Sequence, residues 1–553
     1  MRRRSWIVSD RLVGTRESPE AVLRRILANR GLNDAGSQDD FLNPKLKNLR
    51  DPFRLPDMDK AVGRVDEAIL QGEQILIYSD YDVDGMSSSA LLYRFLSHLG
   101  AKVRVFIPER QGEGYGLSIK GLERALADRD TDLLIALDCG TTSHEQVAQL
   151  NKSGIDVVIL DHHELTATLP DAVAFVNPQR GEHDQLLATV GLVFKFCHAF
   201  LKMRGSPGLF DLRSHMDFVA LGTVADMVPL LDDNRIFVRY GLEQMARTEH
   251  VGLRALMDVS GLRKDPTPGT IGFVLGPRLN ASGRLSEAAV GWELLTTRDP
   301  GNARRIAMDL DQLNRERQRL EQEAHAQAEA MFAAQDEQEN SHCIVVASET
   351  WHQGVVGIVA SRLQKAHYRP AVVISIGAGG HGKGSARSIE GCSMMDALRA
   401  NAPFLTAFGG HAMASGLEIQ AGQIDGFRKA LNHWFRTQAT GTSYEERLHV
   451  DLELSPGCLT AGLADSLGEL EPFGQKNSAP VIVVRNVSMG RSRVMAEKHL
   501  RFQASSERTH FPVIGFGFAK GEQPVGNFDL AGHWGMDDFS GRPLFQMVDW
   551  QWA

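Results

Sequence analysis

A parallel α/β sheet is the fold class that this 553-residue sequence predicts for its first half, and three observations predict it. Residues 75–78, 133–137 and 157–160 are short apolar runs of the kind that buried strands make. Amphipathic stretches at helical spacing alternate with such runs from about 51 to 230, the βαβ pattern. Each run ends on acid: Asp80-Tyr-Asp82-Val-Asp84-Gly85, then Asp138-Cys-Gly, then Asp161-His162-His163-Glu. Parallel strands share one carboxyl edge, so groups far apart in sequence converge there.

The chain in order gives the remaining elements. Residues 1–50 read as a helical lead-in, with apolar residues at helical spacing from Ala21 and no chemistry. After the first acidic stretch, residues 87–100 carry Leu91, Leu92, Phe95, Leu96 and Leu99 at helical spacing, with Gly100 just past the end. The three aspartates are therefore expected on a strand-to-helix loop, where they repel one another unless a cation neutralises them. A calcium loop of the EF-hand type also begins D-x-D-x-D-G, but its twelfth position here is Leu91 in place of Glu, and a strand precedes it. Strand 103–107 leads into a glycine-rich loop with Arg110 and Tyr115, and a short apolar helix beginning near Asp217 delivers Asp226. Residues 276–285 read as a glycine-flanked basic loop, with Arg278, Asn280 and Arg284 suited to phosphate contact. From Ala303 to His352 there is neither Gly nor Pro, which predicts one long helix of roughly 50 Å. Beyond it come three glycine-rich runs, one after His352, one holding Ser385 and Arg387, and one ending at His411. Glycine admits close backbone approach to phosphates, and Arg and Ser supply donors. From about 448, short alternating runs between turn residues predict a small barrel.

Composition narrows the function classes. Hydrophobic content is 43%, charged content 23% and net charge −9, which counts against a protein that coats DNA non-specifically. Residues 341–440 hold nine Lys/Arg against five Asp/Glu, a local +4 within that total, which leaves −13 for the rest. The five cysteines are widely spaced without a CxxC pair, as expected in a reducing cytosol, so a cytoplasmic location is expected. No run approaches membrane-spanning length, and the basic N-terminus lacks the apolar stretch of a secretory signal.

Asp80-Tyr-Asp-Val-Asp-Gly, Asp138-Cys-Gly, Asp161-His-His and Gly222-Thr-Val-Ala-Asp226 together resemble the four motifs of the DHH phosphoesterase superfamily. Within it, the later runs resemble the branch of bacterial single-strand-specific DNA exonucleases. The resemblance implies a parallel-sheet DHH domain (51–300) after the lead-in, a connecting helix (301–339), a smaller α/β DHH-associated domain that binds nucleic acid (340–445) and a C-terminal OB-fold barrel (446–553). It implies two Mg²⁺ or Mn²⁺ ions held by Asp82, Asp84, Asp138, His162 and Asp226. Asp80 and His163 stand nearby as catalytic groups, with Asp161 orienting its neighbours. Nucleic-acid contact falls to Arg110, Tyr115, Arg278, Asn280, Arg284, His352, Ser385, Arg387 and His411, with a 5′-phosphate anchor at Arg110, Ser385 and Arg387. The implied activity is 5′-to-3′ release of mononucleotides from single-stranded DNA, in repair and recombination, by a monomer whose partners are single-strand-binding protein and a RecQ-type helicase. Tyr78 stands where the superfamily's pyrophosphatases and small-nucleotide phosphodiesterases carry His, which favours the exonuclease branch.

Two other readings stay open at this point. One is a phosphodiesterase of short RNA or cyclic dinucleotides, though such enzymes are shorter and lack the long helix and the barrel. The other is an inactive DNA-binding scaffold, which would have lost the acids that this chain keeps. In the barrel, Phe473, Phe502 and Phe516 suit base stacking or the core equally.

Overall fold

The computed structural model describes residues 4–10, 17–110, 112–114, 116–127, 130–181, 186–335, 341–438, 444–520, 522–537 and 539–553. They form two compact units. The first joins Trp6–Asp311 to Leu448–Ala553, and the second runs from Gln312 to Arg447. No helix among the described residues is long and apolar enough to cross a membrane.

The first unit is built on a five-stranded sheet of β1 (Gln74–Ser79), β2 (Lys102–Phe106), β3 (Leu133–Leu137), β4 (Asp156–Leu160) and β5 (Ala174–Val176), in the order β2-β1-β3-β4-β5. Every pairing is parallel. The chain leaves β1 toward one edge and then returns to add β3 on the other side. The switch point therefore lies between β1 and β3, where open α/β sheets place their ligands. The inner strands are mostly apolar because both faces are covered, and β3 is fully buried, whereas the edge strand β2 carries Lys102 and Arg104 and is only half-buried.

Helix α1 (Val83–His98) follows β1, and α2 (Thr189–Met203), α3 (Met216–Ala225) and α4 (Asp232–Ala246) follow the sheet. Helix α1 starts four residues before the expected Ser87, because Asp82 caps it. Its Oδ1 accepts the N–H groups of Asp84 at 2.9 Å and Gly85 at 3.0 Å. Asp84 thus sits in the first helical turn, and the expected loop ends at Asp82.

The stretch expected as a basic loop is helix α5 (Gly276–Leu285), entered through a π-turn at Ile271–Leu275. The long helix is α6 (Pro300–Ala333), 34 residues or about 51 Å. Its residues up to Asp311 belong to the first unit and the rest to the second.

The C-terminal stretch closes a five-stranded barrel. Strands Ile482–Met495, His499–Ser506, Thr509–Gly515, Asn527–Met536 and Pro543–Trp552 pair in the order 1-2-3-5-4, and the first and fourth also pair. The N-terminal lead-in contributes to this barrel's core. Val22, Leu23, Ile26, Leu27 and Phe41 pack in one buried cluster with Leu500, Phe502, Phe528 and Trp534. Phe502 is core, Phe473 is half-buried against it, and Phe516 is 52% exposed.

The second unit holds a mixed sheet of Ile344–Ser348, Ala371–Ile376, His381–Arg387, Leu405–Gly410 and Ala414–Gln420. Only the first pair runs parallel. Helix α7 (Val356–His367) follows its first strand.

Candidate metal centre

The carboxyl ends of β1, β3 and β4 deliver their acids to one place. The ligand atoms fall into three groups, and within each group they lie within 4.8 Å of one another: Asp80, Asp82 and Asp138; Asp84, His162 and Asp226; and Asp138, His162 and His163. Asp226 arrives from the other layer, as the residue that caps the C-terminus of α3. Two glycines make the approach possible. A Cβ at Gly85 would overlap the Asp80 carbonyl oxygen, and one at Gly222 would stand 2.7 Å from Asp84 Oδ1. Asp138 itself adopts φ 60°, a left-handed conformation that few side chains take up and that here turns its carboxylate across the strand end.

Each group is held by identifiable partners. Asp84 accepts the N–H of Thr189 at 2.7 Å through Oδ2 and that of Val190 at 2.9 Å through Oδ1, at the start of α2. Asp138 Oδ1 accepts the Thr189 hydroxyl at 3.0 Å. Asp161 accepts from the N–H and hydroxyl of Thr141 at 3.0 and 2.6 Å, and from the N–H groups of His162 and His163. It also holds His163 Nδ1 at 2.6 Å. Asn177 fixes the same turn by donating to the His163 carbonyl at 2.9 Å. Thr141, Asn177 and Thr189 carry no signal in the sequence, because they act by hydrogen bonds that only the fold creates.

Electrostatics show which charge the centre favours. Burial, reinforced by neighbouring carboxylates, pushes the Asp82 carboxyl up to about 7, and Asp80 and Asp84 well above the usual carboxylate range. Asp226 rises to about 6 by burial, against the lowering charge of His162, with a smaller rise from Asp138. Burial also works against Asp138 and Asp161, but their histidines outweigh it and hold both below the usual range. Burial pulls His162 and His163 down, yet the surrounding carboxylates hold them at about 10 and 9. Positive charge is what stabilises this cluster.

The residues present fit a cation. His162 Nε2 lies 3.3 Å from Asp138 Oδ1 and 3.5 Å from Asp226 Oδ2. It makes a hydrogen bond to neither, and Asp80 Oδ1 and Asp226 Oδ2 are likewise buried without a partner. Unpaired oxygens and an imidazole nitrogen aimed at one space are a ligand set for a hard divalent ion, and mixed carboxylate and imidazole donors suit Mn²⁺ or Mg²⁺.

The other residues singled out in the sequence divide. The Arg110 guanidinium lies 5.3 Å from the centre of the Tyr81 ring and lowers the Asp80 carboxyl by its charge, so it belongs to this edge. Arg284, half-buried on α5, also acts on Tyr81. Arg278 does not join them. Its guanidinium grips Asp311 at 2.9 Å and donates to the Val274 carbonyl at 2.8 Å, an ion pair between α5 and α6. Asn280 is half-buried on the same helix. Tyr115 lies outside the described residues. Tyr78 is buried, and its hydroxyl donates to the Gly116 carbonyl at 3.2 Å.

Within the second unit, Arg387 Nη1 donates to Ser385 Oγ at 2.8 Å, and both abut Gly357 in the first turn of α7. His352 Nδ1 accepts the Gly354 N–H at 3.0 Å just before that helix. His411 is exposed in the turn between the strands Leu405–Gly410 and Ala414–Gln420.

Comparison with known proteins matches three domain families in order along the chain: the DHH family N-terminal domain over 74–223, the DHHA1 domain over 340–437 and the RecJ OB domain over 450–548. The single-stranded-DNA-specific exonuclease RecJ of Bacillus subtilis is 34% identical over 95% of this chain and 67% of its own length. The RecJ of Dickeya dadantii is 35% identical over 88% of this chain and 87% of its own. RecJ of Thermus thermophilus in complex with Mn²⁺ superposes with a TM-score of 0.81 at 27% identity, covering 98% of this chain and 79% of that one; its Mg²⁺ complex gives 0.76. With its domains in this order and a third of its residues shared along most of its length, the chain belongs to the RecJ family of DHH phosphoesterases.

Proposed function

We propose that the chain is a metal-dependent exonuclease of single-stranded DNA that works from the 5′ end, releases mononucleotides and serves DNA repair and recombination. The observation that carries this reading is the sharing of ligands: Asp138 and His162 each belong to two of the three ligand groups. Shared ligands suit two divalent ions a few ångströms apart, the arrangement of phosphodiester-cleaving centres. The relatives named above are single-stranded-DNA-specific exonucleases, and one of them binds Mn²⁺ and Mg²⁺.

Asp82, Asp84, Asp138, His162 and Asp226 would hold the ions, and Asp80, which shares a ligand group with Asp82 and Asp138, stands beside them. Ions held there would supply positive charge to a scissile phosphate and lower the pKa of a water beside it. Asp161, fixed by Thr141, orients His163 through Nδ1, so Nε2 is the ring atom that delivers a proton to a phosphate oxygen. Arg110 and Arg284 supply positive charge to the strand at the same edge. Ser385 and Arg387, beside the N-terminus of α7, receive the 5′-phosphate. The enzyme acts as a cytoplasmic monomer with single-strand-binding protein and a RecQ-type helicase as partners; sedimentation and pull-down with each purified partner check these points.

The deciding experiment digests 5′- and 3′-labelled single strands with and without Mn²⁺. Early release of the 5′ label as mononucleotide, dependent on metal, is expected. Release of the 3′ label first reverses the polarity, and cleavage of short RNA or cyclic dinucleotides alone replaces the substrate.

A further inference from the structure

Thr189 lies outside every motif of the sequence, yet it touches two carboxylates of the metal centre. It is fully buried and opens the 15-residue helix α2. Its N–H donates to Asp84 Oδ2 at 2.7 Å, and the next N–H, of Val190, donates to Asp84 Oδ1 at 2.9 Å. Its hydroxyl donates to Asp138 Oδ1 at 3.0 Å, the same oxygen that faces His162 Nε2 at 3.3 Å. One residue therefore fixes carboxylates delivered by two different strand ends, those of β1 and β3. A carboxylate rotates about a single bond, and nothing in mutual repulsion gives it one orientation. Hydrogen bonds from a rigid helix start do.

We infer that Thr189 is a positioning residue. Its hydroxyl holds Asp138, while the helix start holds Asp84, at the mutual geometry that a strictly octahedral ion needs, and it thereby sets the centre's selectivity between Mg²⁺ and Mn²⁺. Mg²⁺ demands near-ideal octahedral ligands at short distance. Mn²⁺ is larger and takes a wider range of geometries. Freeing Asp138 to rotate therefore penalises Mg²⁺ more. The inference rests on the reading of Asp84 and Asp138 as metal ligands.

The test measures metal affinity of the full-length, metal-free protein, by calorimetry for Mg²⁺ and by electron paramagnetic resonance for Mn²⁺. Thr189→Val removes the hydroxyl, keeps the shape and leaves both backbone bonds to Asp84. We expect its Mg²⁺ affinity to fall about 10- to 100-fold, the usual range for losing a group that orients a ligand, and its Mn²⁺ affinity to fall clearly less. Thr189→Ser, which keeps the hydroxyl, returns both affinities to wild type. The inference is overturned if Thr189→Val binds Mg²⁺ normally, if both metals lose equally, or if Thr189→Ser fails to rescue. Should Thr189→Val not fold, Thr189→Ala carries the same comparison. An Asp138→Asn control separates the two levels. If it leaves both affinities unchanged, the metal centre itself is misread; if it abolishes binding while Thr189→Val binds Mg²⁺ as the wild type does, only the positioning role fails.

Discussion

Asp80 shows how a single side chain can be kept for function at a cost in stability. It is 1% exposed, one oxygen has no partner, and burial with Asp82 and Asp138 raises its carboxyl well above the ordinary value. A carboxyl whose folded pKa is raised favours the fold only when protonated, so at neutral pH in the absence of metal it destabilises. Asp80→Asn should therefore raise the stability of the chelator-treated protein by about 1–2 kcal/mol. It should also shrink the rise in melting temperature that Mn²⁺ produces. A lower metal-free melting temperature, or an undiminished Mn²⁺ effect, would count against the metal centre. A second residue acts through pH. His215 is held down at about 4 by burial and by the His250 imidazole beside it, against the pull of the Asp211 carbonyl and Asp217. The unfolded chain takes up that proton near 6.5. The neutral ring thus contributes fully above pH 6.5, and its contribution is lost as pH falls toward 4. Urea midpoints measured at pH 7 and pH 5 should diverge more in the wild type than in His215→Gln, and equal divergence would refute the assignment.

At the scale of elements, what the sequence reveals depends on whether the signal is local. Strands β1, β3 and β4 are legible because each is an apolar run that ends on acid, and burial on both faces demands the apolar part of that pattern, whereas the three-residue β5 ends on Asn177 and gives no such signal. The start of α1 is misread by four residues, because Asp82 serves both as helix cap and as candidate ligand, and only the cap decides where the helix begins. The stretch at 276–285 reads as a loop because its two glycines and one proline argue against a helix, yet tertiary packing overrides propensity there. Arg278 then finds Asp311, 33 residues away, a pairing that no spacing rule contains. The junction of β1 with α1 gives the element's prediction. Gly85→Ala places a methyl group into the Asp80 carbonyl, and the helix must shift to accept it. The expected loss is more than about 2 kcal/mol in urea denaturation, together with weakened metal binding, because Asp82 and Asp84 move with the helix. A variant within about 0.5 kcal/mol of wild type and with normal Mn²⁺ affinity would show that the junction has slack.

The whole molecule is less separable than its sequence. The barrel is legible from its alternating strands, and its exposed Phe516, set edge-on to His499 at 5.2 Å, keeps the stacking role open, while Phe502 is lost to the core. Nothing local announces that the lead-in helices complete the barrel's core, or that Arg235 joins three segments. That residue, 1% exposed on α4, donates to the carbonyls of Phe41 at 2.7 Å, Leu470 at 3.0 Å and Glu471 at 2.7 Å, and its guanidinium lies 3.9 Å from the centre of the Phe41 ring. Leu230, just before α4, donates to the Gln475 carbonyl at 2.8 Å. From the sequence alone, truncation after about 445 should either leave a metal domain that still hydrolyses very short oligonucleotides, since every candidate ligand lies before residue 230, or unfold the neighbouring domain. The structure favours the second outcome. Truncation strips three carbonyl partners, those of Glu469, Leu470 and Glu471, from a buried guanidinium and exposes the faces of Val22, Leu23, Ile26, Leu27 and Phe41. Each buried polar group left unpaired costs about 1–3 kcal/mol, more when charged, against a total stability of about 5–15 kcal/mol. The truncated chain should therefore show a broad, non-cooperative thermal transition and no turnover of short oligonucleotides in Mn²⁺. Arg235→Met in the full chain isolates the joint from the barrel. It should lower stability by about 3 kcal/mol while single-strand affinity at fixed salt stays unchanged, because the residue is far from solvent. Phe516→Ala should do the opposite, weakening single-strand binding by about 1–3 kcal/mol with the urea midpoint unmoved. A truncated protein that melts cooperatively and cleaves short strands at the full-length rate would show that the barrel is an appendage after all, and that Arg235 contributes little to the fold.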